Sequence, residues 1–203
     1  MAYNIQAWPA FKSYQNTRYR NYLFASKGLR CMGSTWSPLA PLKGLGEDVH
    51  IIGGEPHAAS TAGTVPNEAR DDIIAAETAG LGFHSCSYLK LFTGEVVRDK
   101  IAITDSTVKE GYPRPDLIWT THLCSQHSKW YQEVSRRLGG VPMYAIDMIG
   151  GGNAEKDPKI VNYVSNQIEA GIDWLERVTG RDFSDELFSR AVRNEIIFLA
   201  TSP

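Results

Sequence analysis

The strongest constraint on the fold is a run of strand, helix and strand signals between residues 116 and 147. Residues 116–121 (DLIWTT) are apolar and rich in strand-forming side chains, which predicts a buried strand. Residues 125–138 carry Trp130, Val134 and Leu138 at intervals of four, which predicts a helix. Residues 141–147 (VPMYAID) predict another strand. A strand, a helix and a second strand in this order form a parallel βαβ unit, so the sequence predicts an α/β fold.

The rest of the chain extends this pattern to an open parallel sheet with flanking helices, Rossmann-like or flavodoxin-like. Short strands are predicted at residues 29–33, 49–52 and, less clearly, 101–104. Residues 53–66 are rich in Gly, Pro, Ala, Ser and Thr, which indicates a loop, and residues 81–94 fit no single type. The other helices are predicted from Pro38 to about Leu45, over residues 68–80, from Asp157 as N-cap to Gly180, and over residues 184–199.

These elements predict a division into three parts. Residues 1–28 form a peripheral helical segment, residues 29–150 the α/β domain, and residues 151–203 a helical extension. The strands are few for a complete doubly wound domain and the chain stops just after a helix, so we expect a part of something larger.

Charge and cysteine content exclude several classes of function. The net charge is −2, so no basic field attracts nucleic acid or an anionic membrane surface. No secretory signal or membrane-spanning run is recognisable. Three widely spaced cysteines argue against a disulfide framework and for reduced thiols. We therefore expect a cytoplasmic protein.

Two of the cysteines have chemically interesting surroundings. Cys124 lies between a predicted strand and a predicted helix, where ligands bind in open α/β sheets. A thiolate at a helix N-terminus can hold a soft metal or an iron–sulfur cluster, and Cys86 is the second candidate. Either cysteine can instead be a small core side chain. A zinc site that adds His84, His122 and His127 is a further alternative, but its spacing matches no standard pattern.

Three other segments carry possible binding or catalytic groups. Glu55 follows the strand at 49–52 and is a candidate general acid if it is buried; the alternative is an exposed loop residue. In residues 34–37 (STWS), hydroxyl and backbone N–H groups can receive a carbonyl or phosphate oxygen, or simply cap a helix. The glycines at 150–152 form either an anion-binding nest or a plain linker.

Three motifs in order resemble one known family. They are residues 86–90 (CSYLK), residues 113–118 (PRPDLI) with Cys124 after them, and residues 139–147 (GGVPMYAID). The chain from about residue 29 to 200 resembles the N-terminal half of a subunit of the benzoyl-CoA reductase / 2-hydroxyacyl-CoA dehydratase family. The segment from Gly33 to Pro56 looks closer to the benzoyl-CoA reductase branch.

The resemblance implies a [4Fe–4S] cluster. In that family three cysteines of a subunit hold the cluster between two α/β domains. Cys86 and Cys124 match two of these metal ligands, whereas the third belongs to a second α/β domain that this chain lacks. Cys31 lies elsewhere and is not assigned as the missing ligand. Lys90 and Lys129 either offset the charge of the cluster or are solvated.

The resemblance also implies a reaction and partners. An ATP-dependent iron–sulfur activator protein would deliver electrons through the cluster to an aromatic acyl-CoA, and a second family subunit would complete a heterodimer. This describes an oxidoreductase subunit that reduces a ring. The alternatives are a 2-hydroxyacyl-CoA dehydratase subunit and a non-catalytic accessory subunit. Glu55 is then the catalytic candidate, and Thr35 and Trp36 are the substrate-binding candidates.

Overall fold

The sheet and helices are seen in a computed structural model that describes residues 8–25, 27–34, 36–102, 108–149 and 157–201. The strands are β1 (Leu29–Gly33), β2 (Val49–Gly53), β3 (Lys100–Ala102), β4 (Val108–Glu110), β5 (Leu117–His122) and β6 (Met143–Asp147). The helices are α1 (Trp8–Phe24), α2 (Ala40–Lys43), α3 (Gly54–Thr64), α4 (Pro66–Thr78), α5 (Ser87–Arg98), α6 (Ser125–Arg137), α7 (Pro158–Thr179) and α8 (Asp185–Thr201).

Four strands form one parallel sheet in the order β2-β1-β5-β6. Strands β3 and β4 form a separate antiparallel pair. The predicted α/β fold with an open parallel sheet is therefore confirmed. The division into residues 1–28, 29–150 and 151–203 stays a prediction.

Side chains of the sheet alternate between two apolar layers. Met32 and Ile118 pack on one side with residues of α1, α5 and α6. Leu117 and Trp119 pack on the other side with residues of α2 and α7, including Leu175. A parallel sheet covered on both faces needs apolar residues at nearly every strand position, which is why its strands read as continuous apolar runs.

Helix α7 follows its sequence signals closely. The side chain of Asp157 accepts a hydrogen bond from the backbone N–H of Lys159 at 2.9 Å, and Pro158 occupies the first turn. The helix ends at Gly180, which adopts the left-handed conformation. Within the described residues, no helix combines the length and apolarity that a membrane crossing would need.

Two local predictions differ from the structure, and two elements had not been predicted. Residues 54–64 form helix α3 and not a loop, because the positions that α3 buries are largely polar and give no apolar period. The helix expected from Pro38 to Leu45 is reduced to the four residues of α2. Residues 87–98, part of which fitted no type, form α5. Strand β4 was not predicted.

On both edge strands of the parallel sheet, polar side chains form hydrogen bonds with backbone groups. On β2, Lys43 Nζ donates to the carbonyl of Val49 at 2.7 Å and Arg18 Nε donates to that of Ile51 at 2.9 Å. At the end of β6, Gln167 donates to the carbonyl of Asp147 at 3.0 Å and accepts from its N–H at 2.8 Å. Such contacts blunt the edges of a sheet.

Candidate functional site

A cleft opens where the direction of strand connection reverses. From β1 the chain proceeds to β2 on one side of the sheet, whereas from β5 it proceeds to β6 on the other side. In open α/β sheets this switch point, beyond the carboxyl ends of the strands, is the usual place for a ligand. The cleft has a volume of about 360 Å³. Its lining residues are Trp36, Glu55, Pro56, Ala59, Cys86, Tyr88, Cys124, Gln126, His127 and Trp130.

Both predicted metal ligands line this cleft. Cys86 is the N-cap residue of α5 and Cys124 is the N-cap residue of α6, and both thiols are free. The backbone N–H of Cys86 donates to the side-chain oxygen of Gln126 at 3.1 Å, which ties the two helix starts together. Both side chains therefore stand at the start of a helix, on the cleft side of the sheet. Their role as ligands stays a prediction.

Glu55 is buried and is held by a group at the end of β1 and by two groups of α6. It lies in the first turn of α3 with 8% of its surface exposed. Ser34, just after β1, donates its hydroxyl to Glu55 Oε1 at 2.9 Å. His127 Nε2 on α6 lies 2.9 Å from the same oxygen, and the Tyr131 hydroxyl lies 3.5 Å away. The alternative of an exposed loop residue is therefore wrong, whereas the catalytic role stays a prediction.

Helix α3 starts close to α6 because residue 54 is glycine. A Cβ atom at Gly54 would lie 2.7 Å from the hydroxyl oxygen of Tyr131 and 3.0 Å from the Trp130 ring. Contacts this short do not occur in folded proteins without a shift of the backbone or the ring. The missing side chain thus allows Glu55 to reach His127.

His127 connects the carboxyl group to the loop of Cys124. Its backbone N–H donates to the carbonyl of Cys124 at 3.1 Å while its ring reaches Glu55. Its other ring nitrogen, Nδ1, is buried and has no hydrogen-bond partner within the described part of the chain. The tautomer with the proton on Nε2 leaves no ring donor unpaired, so His127 donates to Glu55. Burial and the charge of Glu55 hold the pKa of Tyr131 well above its usual value, so Tyr131 remains a hydroxyl donor.

The backbone of Trp36 is fixed by hydrogen bonds, whereas the residue as a whole is 63% exposed beside the cleft. Its N–H donates to Ser34 Oγ at 3.2 Å, and the Thr121 hydroxyl lies 3.5 Å from its carbonyl oxygen. Two residues on, the carbonyl of Pro38 accepts from the indole N–H of Trp119 at 2.8 Å. Thr35 lies outside the described residues, so its role in substrate binding stays a prediction.

Comparison with known proteins identifies the family. Residues 49–195 match the family described as 2-hydroxyglutaryl-CoA dehydratase, D-component. The chain belongs to this family. It is 26% identical to the (R)-2-hydroxyisocaproyl-CoA dehydratase alpha subunit of Clostridioides difficile over 179 residues, which are 87% of this chain and 41% of that subunit. It is 24% identical to the (R)-phenyllactyl-CoA dehydratase alpha subunit of Clostridium sporogenes over 148 residues, which are 71% of this chain and 34% of that subunit.

These matches refine the resemblance that the motifs indicated. The chain spans about two fifths of the length of the first of these curated relatives, and less of the second. Both relatives are named as dehydratase alpha subunits, so they favour the dehydratase alternative over the benzoyl-CoA reductase branch. The dehydratase family that the motifs suggested is confirmed.

The remaining candidates, which are Lys90, Lys129 and Cys31, do not line the cleft. Lys90 is buried, pairs with Glu77 at 2.6 Å and donates to the carbonyl of Phe83 at 2.8 Å, so it anchors the segment before Cys86 and is not solvated. Lys129 is exposed. Cys31 is buried in the layer that faces α2 and α7, and burial raises the pKa of its thiol far above the usual value. The glycines at 150–152 lie outside the described residues.

The donor set of the cleft fits part of a cluster site. Iron–sulfur clusters are held by cysteine thiolates, and the cleft supplies two thiols at helix N-termini. Among the residues that the structure describes, no three His, Cys, Asp or Glu side chains come together as a metal-binding group. His122 and His84 are not among the lining residues of the cleft.

Ser34, His127 and Tyr131 were not predicted as partners of Glu55. Ser34 carried a signal, because a hydroxyl residue follows the strand-like residues 29–33 directly. The sequence indicated His127 only as a possible zinc ligand, because Glu55 lies 72 residues away along the chain. Only the fold brings these side chains together.

Proposed function

We propose that this chain is part of a subunit of a 2-hydroxyacyl-CoA dehydratase. The reaction removes the 2-hydroxyl group and one hydrogen from C3 of the thioester as water and leaves a 2-enoyl-CoA. One observation carries the proposal: a single cleft at the switch point of the sheet is lined by two thiols and by a buried carboxyl group with its own donors. The names of the relatives support elimination rather than ring reduction.

In this proposal Glu55 is the general acid for the departing hydroxyl group. Hydroxide is a poor leaving group, so a proton must reach its oxygen as the C–O bond breaks. Glu55 delivers that proton as the C–O bond breaks, and the proton that leaves C3 returns to Glu55 in the same turnover. Ser34 and His127 then stabilise the carboxylate that remains, because both donate to Oε1.

Cys86 and Cys124 would hold part of a [4Fe–4S] cluster. When bound, such a cluster supplies single electrons at low potential. Both cysteines stand at helix starts, and the bond from the Cys86 N–H to Gln126 keeps the two helix starts together. The third ligand, a second family subunit and an ATP-dependent activator protein belong to the proposal as what the family resemblance implies. Trp36 and Thr35 remain the proposed substrate-binding residues.

The first test is the iron and acid-labile sulfide content of the protein after anaerobic purification with a partner subunit. We expect iron and sulfide in equal amounts, and we expect Cys124→Ser and Cys86→Ser each to abolish loading. Cys31→Ala is the matched control, because this thiol is buried on the far side of the sheet. Full iron content in both serine variants would contradict the assignment.

Activity provides the second test. With an activator protein, ATP and a reductant, the loaded protein should convert a 2-hydroxyacyl-CoA into the 2-enoyl-CoA. Iron loading without any such conversion, combined with activity in the partner subunit alone, would identify the chain as a non-catalytic accessory subunit. Zinc in place of iron would favour the zinc alternative.

A further inference from the structure

A second cavity adjoins the cleft that contains the two cysteines. Its volume is about 470 Å³, a size that suits a small organic group. It shares Trp36 and Pro56 with the first cleft, so these two residues mark the boundary of the two cavities. Its far wall comes from the end of α8, where Phe198 and Leu199 line it. The two cavities therefore form one site with two lobes.

The lining of the second lobe is mainly apolar and carries no excess positive charge. Within the described residues, Arg18 is the one cation that lines it and Glu195 is the one anion. Arg18 Nε is already bonded to the carbonyl of Ile51, and Glu195 accepts from the backbone N–H of Leu39 at 2.9 Å. A carboxylate brought into this lobe would lose its water and meet as much negative as positive formal charge.

We infer that the second lobe receives the acyl side chain of the thioester and selects an uncharged, apolar one. This rests on the proposed function, because the 2-hydroxyl group is then placed at Glu55 in the first lobe. The side chain beyond it passes Trp36 and packs against Pro38, Pro56, Phe198 and Leu199. The expected substrates carry an uncharged, apolar acyl group, and acyl groups that end in a carboxylate are excluded.

The test is a comparison of binding affinities by titration calorimetry on the full 203-residue chain. The probes are 4-methylpentanoyl-CoA, acetyl-CoA, glutaryl-CoA and free CoA. A methylene group in an apolar pocket changes affinity by about tenfold or more. We therefore expect 4-methylpentanoyl-CoA to bind at least about tenfold more tightly than acetyl-CoA and glutaryl-CoA.

Two pairs of variants on α8 locate the effect. Phe198→Ala should remove most of the preference for 4-methylpentanoyl-CoA over acetyl-CoA. Ile196→Ala is the matched control, since this residue is 60% exposed on the same helix and does not line the lobe. Phe198→Arg should shift the preference toward glutaryl-CoA, and Ile196→Arg should not. Because Phe198 is 68% exposed, these changes leave the core intact.

The outcomes separate the inference from the proposed function. Equal binding of the three thioesters would overturn the second lobe as the acyl site while the proposed function stands. A Phe198→Ala variant that loses affinity for free CoA to the same extent would assign the lobe to CoA and overturn the inference. A change in sedimentation of Phe198→Ala with an unchanged acyl preference would make it a contact surface and overturn the inference as well. Failure to bind any thioester would contradict the proposed function itself.

Discussion

Two glutamate–histidine pairs share helix α3, and they differ in what surrounds them. Glu55 lies 2.9 Å from His127 and lines the cleft. Two residues further along, His57 pairs with Glu95 on α5 at 2.6 Å, and both side chains are almost fully buried, with 1% and 2% exposed. The chemistry of the two pairs is the same, so their roles must come from their environment.

Further hydrogen bonds satisfy the remaining polar atoms of the pair of His57 and Glu95. His57 Nδ1 contacts the Tyr19 hydroxyl at 3.1 Å, so both ring nitrogens have partners. Glu95 Oε1 accepts from the backbone N–H of Ala102 at 3.0 Å and from the Thr61 hydroxyl at 3.3 Å. These bonds join α1, α3, α5 and β3. A saturated pair of this kind stabilises the fold, whereas Glu55 and His127 both line the cleft, as the proposed acid role requires.

The largest expected effect is on catalysis by Glu55→Gln. The amide still accepts from Ser34 and His127 but cannot donate a carboxylic proton. We expect kcat of the assembled dehydratase to fall about 10²–10⁴-fold, the range for the loss of a general acid. The melting temperature should change little. An unchanged kcat would remove Glu55 from the reaction and leave both pairs with structural roles.

The next effect is on stability and concerns the buried pair. Glu95→Ala leaves His57 and the N–H of Ala102 without their shared acceptor, whereas the Thr61 hydroxyl keeps the carbonyl of His57. We expect the free energy of unfolding to fall by about 3–5 kcal/mol, because the buried partners are left unpaired. Urea titration measures this change. Glu55→Gln in the same assay is the control, and equal losses in both variants would abolish the distinction between the pairs.

A smaller loss of stability is expected when the packing of α4 against α5, next to the buried pair, is disturbed. A Cβ atom at Gly94, next to Glu95, would lie 2.0 Å from the carbonyl oxygen of Asp72, so α4 and α5 would have to separate. We expect Gly94→Ala to cost about 1–3 kcal/mol of stability, as overpacking does. Gly82→Ala is the control because a Cβ atom there meets nothing within 4 Å. Similar stability of the two variants would show that this contact does not constrain the helices.

The last effect, which is the smallest for each single pH step, is a pH dependence on the same side of the molecule. Burial raises the pKa of Asp72 from 3.8 to about 7, with Arg98 opposing the shift and Glu95 adding to it. The folded state therefore keeps a proton that the unfolded state has lost between these two pH values. Stability contributed by Asp72 should fall as pH rises from about 4 to about 7, by at most about 1.4 kcal/mol per pH unit.

Urea unfolding across this pH range tests the dependence. Asp72→Asn should flatten it, and Asp71→Asn should leave it unchanged because Asp71 is an exposed neighbour. A steeper dependence in Asp72→Asn would contradict the raised pKa.

The two pairs also show what could be predicted from the sequence. Strands β1, β2, β5 and β6 and helices α6 and α7 were predicted because apolar periods and capping residues mark them locally. Helix α3 was missed because its buried face carries Glu55, His57 and Thr61 in place of apolar residues. Their partners lie on other elements, and no local pattern encodes them. Cys86 and Cys124 were chosen as candidates from their neighbours in sequence, but their common cleft depends on how α5 and α6 pack.

The occupied edges of the sheet limit how this domain can associate. Lys43 and Arg18 donate hydrogen bonds to carbonyls of β2, and Gln167 bonds both the N–H and the carbonyl of Asp147 at the end of β6. A strand from another polypeptide would have to displace these side chains before it could pair. At these positions we therefore expect another polypeptide to contact the protein through side chains rather than by adding a strand to the sheet.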